Sequence, residues 1–96
     1  MSRLVVVAPL RPGMRDRAGQ LLAAGPPFVL EETQFDRHDV FLTDDEVVFV
    51  FEGASGEPLR LDAEDPSVLT AAEAWHELLA ARPRMAVSAF TWTRRG

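Results

Sequence analysis

The chain has 96 residues, 47% of them hydrophobic, and a formal net charge of −5. This length, with charges spread along the chain, predicts one folded domain over residues 1–96 rather than a disordered segment. The acidic balance argues against nucleic acid or an anionic membrane as a partner, because both attract basic patches. The chain contains no Cys, Lys or Tyr, which excludes thiolate, Schiff-base and phenolic chemistry.

The composition also bears on origin and location. No apolar run approaches the roughly 20 residues that span a bilayer, and the N-terminus lacks the core and cleavage site of a signal peptide. We therefore expect a cytoplasmic protein without a membrane partner. Asn and Ile are absent as well, and Arg supplies all ten positive charges. Four of the five missing residue types have AT-rich codons, which favours a GC-rich bacterial genome.

The first half of the chain predicts a strand, a helix and a connection. Arg3 to Pro9 is an apolar strand. A helix follows from Pro12, which suits a first helical turn, to the natural stop at Gly25; its apolar stripe is Met14, Ala18, Leu21 and Leu22. The stretch from Phe28 to Phe35 fits a short helical turn or an irregular connection better than a strand.

The second half predicts a hairpin, a helix and a final strand. The hairpin consists of residues 38–43 and 46–53, joined at Asp44 and Asp45. A loop follows to about Glu64, and Asp65 and Pro66 then favour the start of a helix that runs to about Ala81, before Pro83. Residues 85–93 alternate as a last strand. The order is β-α-β-β-α-β, which is typical of the ferredoxin-like α+β fold, with a four-stranded antiparallel sheet and both helices on one face.

Two of the strands are apolar on both faces. An antiparallel strand with one face in water alternates apolar and polar residues, but Leu4–Ala8 and Val47–Phe51 do not. Two helices suffice to cover one face of the sheet. We therefore expect a second copy of the chain to cover the other face in a homodimer. The alternation of side chains along the strand does not by itself decide whether that face carries Val48 and Val50 or Val47, Phe49 and Phe51.

The whole chain resembles the dimeric α/β-barrel superfamily, which includes antibiotic-biosynthesis-type monooxygenases, stress-responsive α/β-barrel proteins and sugar mutarotases. The similarity is carried by the apolar first strand, by the hairpin Arg37–Gly53 and by the helix that bears Trp75. It implies that two sheets pack face to face in a dimer, and that each subunit has a small-molecule cavity between its sheet and its helices. The catalytic Asn and Tyr residues of the enzymes in this superfamily have no counterpart here, because the chain contains neither type.

The histidines are the candidates for acid/base chemistry, because only they have an unperturbed pKa near neutrality. His38 opens the second strand beside Asp39 and could act at the mouth of the barrel, or simply face solvent at the strand end. Adjacent strand residues point to opposite faces, so Asp39 could assist only at a twist or bulge. His76 flanks the apolar stripe of the second helix. The two histidines lie too far apart in sequence to form a metal-ligand motif, so no metal or cofactor is expected.

Large aromatic residues are the candidates for ligand contact. They also suit the core or a dimer interface. The set consists of Trp75, Phe49, Phe51, Phe90 and Trp92.

Three hypotheses about function remain open. The first is a homodimeric α/β-barrel protein that binds a small hydrophobic or aromatic metabolite between its sheet and its helices. The second is a cofactor-independent monooxygenase or an isomerase with a histidine as acid/base. The third is an interaction module with an empty core. A cavity of roughly 300 Å³ or more with a histidine on its wall would distinguish them.

Overall fold

The fold is ferredoxin-like, with four antiparallel strands in one open sheet and two helices, as predicted. A computed structural model describes residues 2–25, 31, 33, 35–53 and 66–94. Along the chain the elements are β1 (Ser2–Pro9), α1 (Arg15–Ala23), β2 (Arg37–Leu42), β3 (Glu46–Gly53), α2 (Pro66–His76) and β4 (Arg84–Ala86). The strands are ordered β2-β3-β1-β4, so that β2 and β4 form the two edges.

The register of the strands shows which residues lie on each face of the sheet. Leu4 pairs with Phe51, and His38 pairs with the same residue from the other side. Because paired residues point to one face, the side of the sheet that we call the inner face carries Leu4, Val6, Ala8, His38, Val40, Leu42, Val47, Phe49 and Phe51. The opposite side, the outer face, carries Arg3, Val5, Val7, Arg37, Asp39, Phe41, Val48, Val50 and Glu52. Val48 and Val50 are thus the β3 valines that point away from the helices.

Both helices pack on the inner face. Ala18 of α1 and Trp75 of α2 share one buried cluster with Ala8 and Val47. A second cluster, of Leu4, Val6 and Phe51, continues the core toward the other end of the sheet. The helices therefore cover the face that bears His38 and the phenylalanines of β3.

The first helix begins later than the sequence predicts. Pro12 lies in a turn rather than in the first helical turn, and α1 starts at Arg15. Gly13 has a φ of +80°, a left-handed conformation that ends any continuous helix at that point. The predicted stop is confirmed, because Gly25 follows the helix with a φ of +93°.

The second helix ends at His76, five residues before the predicted end at Ala81. Backbone contacts with the end of β1 account for the difference. The Arg11 N–H donates to the Leu78 carbonyl, and the Ala80 N–H donates to the Pro9 carbonyl, both at 2.8 Å. The Leu78 carbonyl and the Ala80 N–H, which a longer helix would have bonded internally, are therefore satisfied by Arg11 and Pro9.

The last strand is much shorter than predicted. Only Arg84–Ala86 pairs with β1, opposite Val5 to Val7, whereas the sequence predicts a strand over residues 85–93. The remaining residues, 87–94, are exposed; we call them the C-terminal arm. The predictions for residues 26–30, 32, 34 and 54–65 lie outside the described residues.

Among the described residues, no helix is both long and apolar enough to cross a bilayer.

Candidate aromatic binding site

Five rings lie in succession on the inner face, and we call them the aromatic cluster: Phe35, His38, Phe49, Phe51 and Trp75. Phe35 contacts Phe51 at 4.6 Å between ring centroids. His38 stacks on Phe51 at 4.3 Å, with 13° between the ring planes. Phe49 meets Trp75 edge to face at 5.1 Å and 85°. Offset-stacked and edge-to-face geometries of this kind are the favoured arrangements of aromatic pairs.

The strands place these rings together because side chains alternate along each of them. His38 is on β2, and its partner across the ladder is Phe51 of β3. Two residues before Phe51, Phe49 lies on the same face and reaches α2 through Trp75. Trp75 is only 5% exposed, which confirms the prediction that it packs against the sheet.

His38 is the polar member of the aromatic cluster. Its Nδ1–H donates to the Val50 carbonyl at 3.0 Å. This bond orients the ring, because a carbonyl oxygen can only accept and Nδ1 must therefore carry a proton. His38 is half-buried rather than fully exposed at the strand end.

Asp39 does not join His38. It lies on the outer face and accepts a hydrogen bond from Arg37 Nε at 2.8 Å. That bond and the carboxylate's charge raise the pKa of Arg37 above its usual value, and Glu52 adds to the effect. The Asp39 carboxylate is therefore a partner of Arg37 rather than of His38.

The other predicted site residues lie apart from the aromatic cluster. His76 is exposed at the end of α2. Phe90 is 84% exposed and Trp92 is 68% exposed, both in the C-terminal arm. Arg94 lies over the Trp92 ring, with its guanidinium carbon 5.6 Å from the ring centroid. The structure thus brings His38, Phe49, Phe51 and Trp75 together and leaves His76, Phe90 and Trp92 elsewhere.

Phe35 is the member of the aromatic cluster that the sequence did not single out. It precedes β2, and the chain bends at Asp36, whose N–H donates to the Glu52 carbonyl at 2.7 Å. Counting back from His38 by twos gives Asp36, not Phe35. The period-two pattern therefore contains no signal for its position.

A cleft of about 280 Å³ opens between α1 and α2. Its walls carry charged and polar groups as well as apolar ones, from Arg17, Gln20, Leu21, Glu73, Ala74, Glu77 and Leu78. None of these residues lies on a strand and none is a histidine, so it is not the cavity between sheet and helices that the sequence predicts. Close to that predicted position, Ala18, Val47, Trp75 and Leu78 are buried in contact with one another.

Among the described residues, no group of three or more His, Asp or Glu side chains is arranged to hold a metal ion. The chain matches no family model, and no curated protein matches it.

Proposed function

We propose that this protein is a homodimer of the dimeric α/β-barrel type that binds a small hydrophobic or aromatic metabolite at the aromatic cluster. The observation that carries the proposal is the stack of the oriented His38 ring on Phe51. The dimer and the ligand have separate support, and each has its own test.

Support for the dimer comes from the outer face. Its centre consists of apolar side chains, in which Val7 pairs with Val48 and Val48 pairs with Phe41 across the ladders. Phe41 is 57% exposed. Both helices lie on the inner face, so neither covers these residues. A two-fold pair of such faces forms the kind of self-complementary interface that homodimers use, on the order of 1,600 Å² in total.

Support for the ligand comes from the make-up of the aromatic cluster. Small-molecule sites are mostly apolar and contain a few placed polar groups. Phe51 and Trp75 are buried and form the floor of the site, whereas Phe35, His38 and Phe49 are half-buried. A flat aromatic molecule can stack on the half-buried rings, beside the imidazole of His38 as the polar group of the site.

The two histidines provide a matched pair for the test, with indole as the probe because it is a small, flat aromatic molecule. We expect His38→Gln to weaken indole binding about tenfold, since it removes the ring that is stacked on Phe51. His76→Gln, at an exposed position on α2, should leave the affinity unchanged. Binding is measured by NMR titration of the imidazole resonances and of the backbone amides of β3.

Two results would contradict ligand binding. One is an equal change of affinity in both histidine variants. The other is the absence of any indole-dependent shift together with native mass spectra of the purified protein that contain no retained small molecule.

A second candidate function, acid/base catalysis by a cofactor-independent oxygenase or an isomerase, is favoured by the same hydrogen bond. The Val50 carbonyl accepts a hydrogen bond from Nδ1–H of His38, and a backbone carbonyl commonly orients a catalytic histidine in this way. Asp39 has no part in this mechanism because it faces the other side of the sheet. Full turnover by a variant lacking both histidines would eliminate this candidate and leave binding.

A further inference from the structure

The C-terminal arm is the most exposed apolar segment among the described residues. Val87 is 89% exposed, Phe90 is 84% exposed and Trp92 is 68% exposed. Single exposed apolar residues are common on protein surfaces, but three within six residues, two of them large aromatics, form a patch of the kind that marks an interaction site. In a folded monomer these side chains contribute nothing to the core.

The backbone of the C-terminal arm is available for pairing with another strand. Antiparallel pairing of β4 with β1 stops at Ala86 opposite Val5, although β1 continues to Ser2. Beyond that point no described strand pairs with the arm. At the far side of the sheet, β2 is an edge strand that pairs with β3 alone among the described elements. Each chain therefore has one segment without a partner strand among the described residues, bent where Ser88 Oγ and Thr91 Oγ1 lie 3.3 Å apart, and one open edge of the kind that accepts a partner segment.

We infer that the C-terminal arm of each protomer docks on a second copy of the chain, along the partner's β2, with Phe90 and Trp92 against the partner's Phe41. This inference rests on the proposed dimer and specifies what holds it together. Phe41 fits as the receptor because it is a 57% exposed aromatic residue on the outer face of that edge strand.

The symmetry of the dimer brings the arm and Phe41 together. When two sheets pack face to face about an axis that runs along the strands, the order of strands is reversed in the partner. The β4 edge of one sheet then faces the β2 edge of the other, given the order β2-β3-β1-β4. An axis across the strands would instead bring β4 against β4, and the arms would not reach Phe41.

The area of the arms is sufficient for a stable interface. An aromatic side chain buries about 150–250 Å², so the four rings of two arms remove about 600–1,000 Å² from water. The partner surface that they cover adds a comparable amount. Standard interfaces bury on the order of 1,200–2,000 Å² in total, so the arms alone supply much of what a stable dimer requires.

A double-mutant cycle tests the contact between the arm and Phe41. Within one protomer, β2 and β4 are separated by three strand spacings, about 14 Å, and residues so far apart act additively. We expect Trp92→Ser and Phe41→Ser each to raise the dimer Kd at least about 30-fold, as hot-spot aromatics do. The double variant should raise it by much less than the product, because each change already removes the shared contact.

The controls separate this inference from the dimer itself. Leu69→Ser removes a 51% exposed leucine of α2 and should leave the Kd unchanged. The far-UV circular dichroism of every variant should match that of the wild type, since the replaced side chains are exposed in the monomer. Kd is measured by sedimentation equilibrium over a range of concentrations.

Each outcome of the double-mutant cycle supports or overturns one part of the inference. Subadditive losses support the docking of the arm on the partner's β2. A Kd for Trp92→Ser equal to that of Leu69→Ser overturns the role of the arm but leaves the dimer intact. Additive losses overturn the position of the arm at Phe41. A monomeric wild type overturns the proposed dimer and the docked arm with it.

Discussion

Replacing Trp75 with Ala is expected to lower the free energy of unfolding by about 3–5 kcal/mol, the usual cost of removing a fully buried large aromatic. Trp75 is 5% exposed and meets Phe49 edge to face. It shares its cluster with Ala8 and Val47, which are fully buried. The substitution thus leaves a cavity between α2 and the centre of the sheet. A domain of this size is stable by only about 5–15 kcal/mol, so the loss is a large share of the total.

Urea denaturation followed by circular dichroism measures this effect. The urea concentration at the midpoint should fall, with little change in the slope of the unfolding free energy against urea. This result would show that stability has changed and that the unfolded state has not. Leu69→Ala is the matched control, because Leu69 lies on the same helix and is 51% exposed; it should cost about 0.5 kcal/mol or less. A loss for Trp75→Ala as small as that of the control would show that Trp75 does not support the core.

Replacing Val48 with Glu is expected to raise the Kd of the proposed dimer at least about 100-fold. Val48 lies at the centre of the outer face, between Val7 and Phe41. In the dimer a carboxylate at this position would be buried against apolar side chains without a partner, and an unpaired buried charge costs about 3–5 kcal/mol. In the monomer the same carboxylate faces water, so the fold should persist.

The control for Val48→Glu is Leu69→Glu, which places the same charge on an exposed apolar position of α2. Both variants are compared by size-exclusion chromatography with light scattering at several concentrations. A dimer that withstands Val48→Glu as well as it withstands Leu69→Glu would exclude the outer face as the interface.

The sequence predicted the sheet and its order of elements because the signals for them are local. Apolar runs bounded by turn residues mark β1, β2 and β3, and Gly25 marks the end of α1. The sequence does not show which residues form the outer face. Every position from Val47 to Phe51 is apolar, so the alternation of side chains along the strand does not distinguish a polar face from an apolar one. Only the packing of α1 and α2 against Val47 and Phe49 distinguishes the two faces.

The differences between the predicted and the observed elements all have tertiary causes. Residues 87–93 have the alternation of a strand, but alternation does not show whether a partner strand is present. The helix α2 ends at His76 because β1 engages the backbone of the next turn, whereas Pro83 sets only an outer limit. Phe35 joins the aromatic cluster through a bend at Asp36, which no periodic pattern encodes.

Part of the candidate site was predictable, because the alternation of a strand and the apolar stripe of a helix are local signals. His38, Phe49 and Phe51 share the inner face by strand parity, and Trp75 meets them because it is central to the apolar stripe of α2. Phe90 and Trp92 entered the same set on their residue type alone. Their exposure in the C-terminal arm assigns them to a surface rather than to the aromatic cluster.

Sedimentation velocity of the unmodified protein at micromolar concentration measures whether the proposed dimer forms. The protomer has a mass of 10.6 kDa. We predict a single species with twice that mass, which dissociates on dilution. A species that keeps the protomer mass throughout the micromolar range would contradict the dimer, and with it the explanation of why the outer face and the C-terminal arm are apolar.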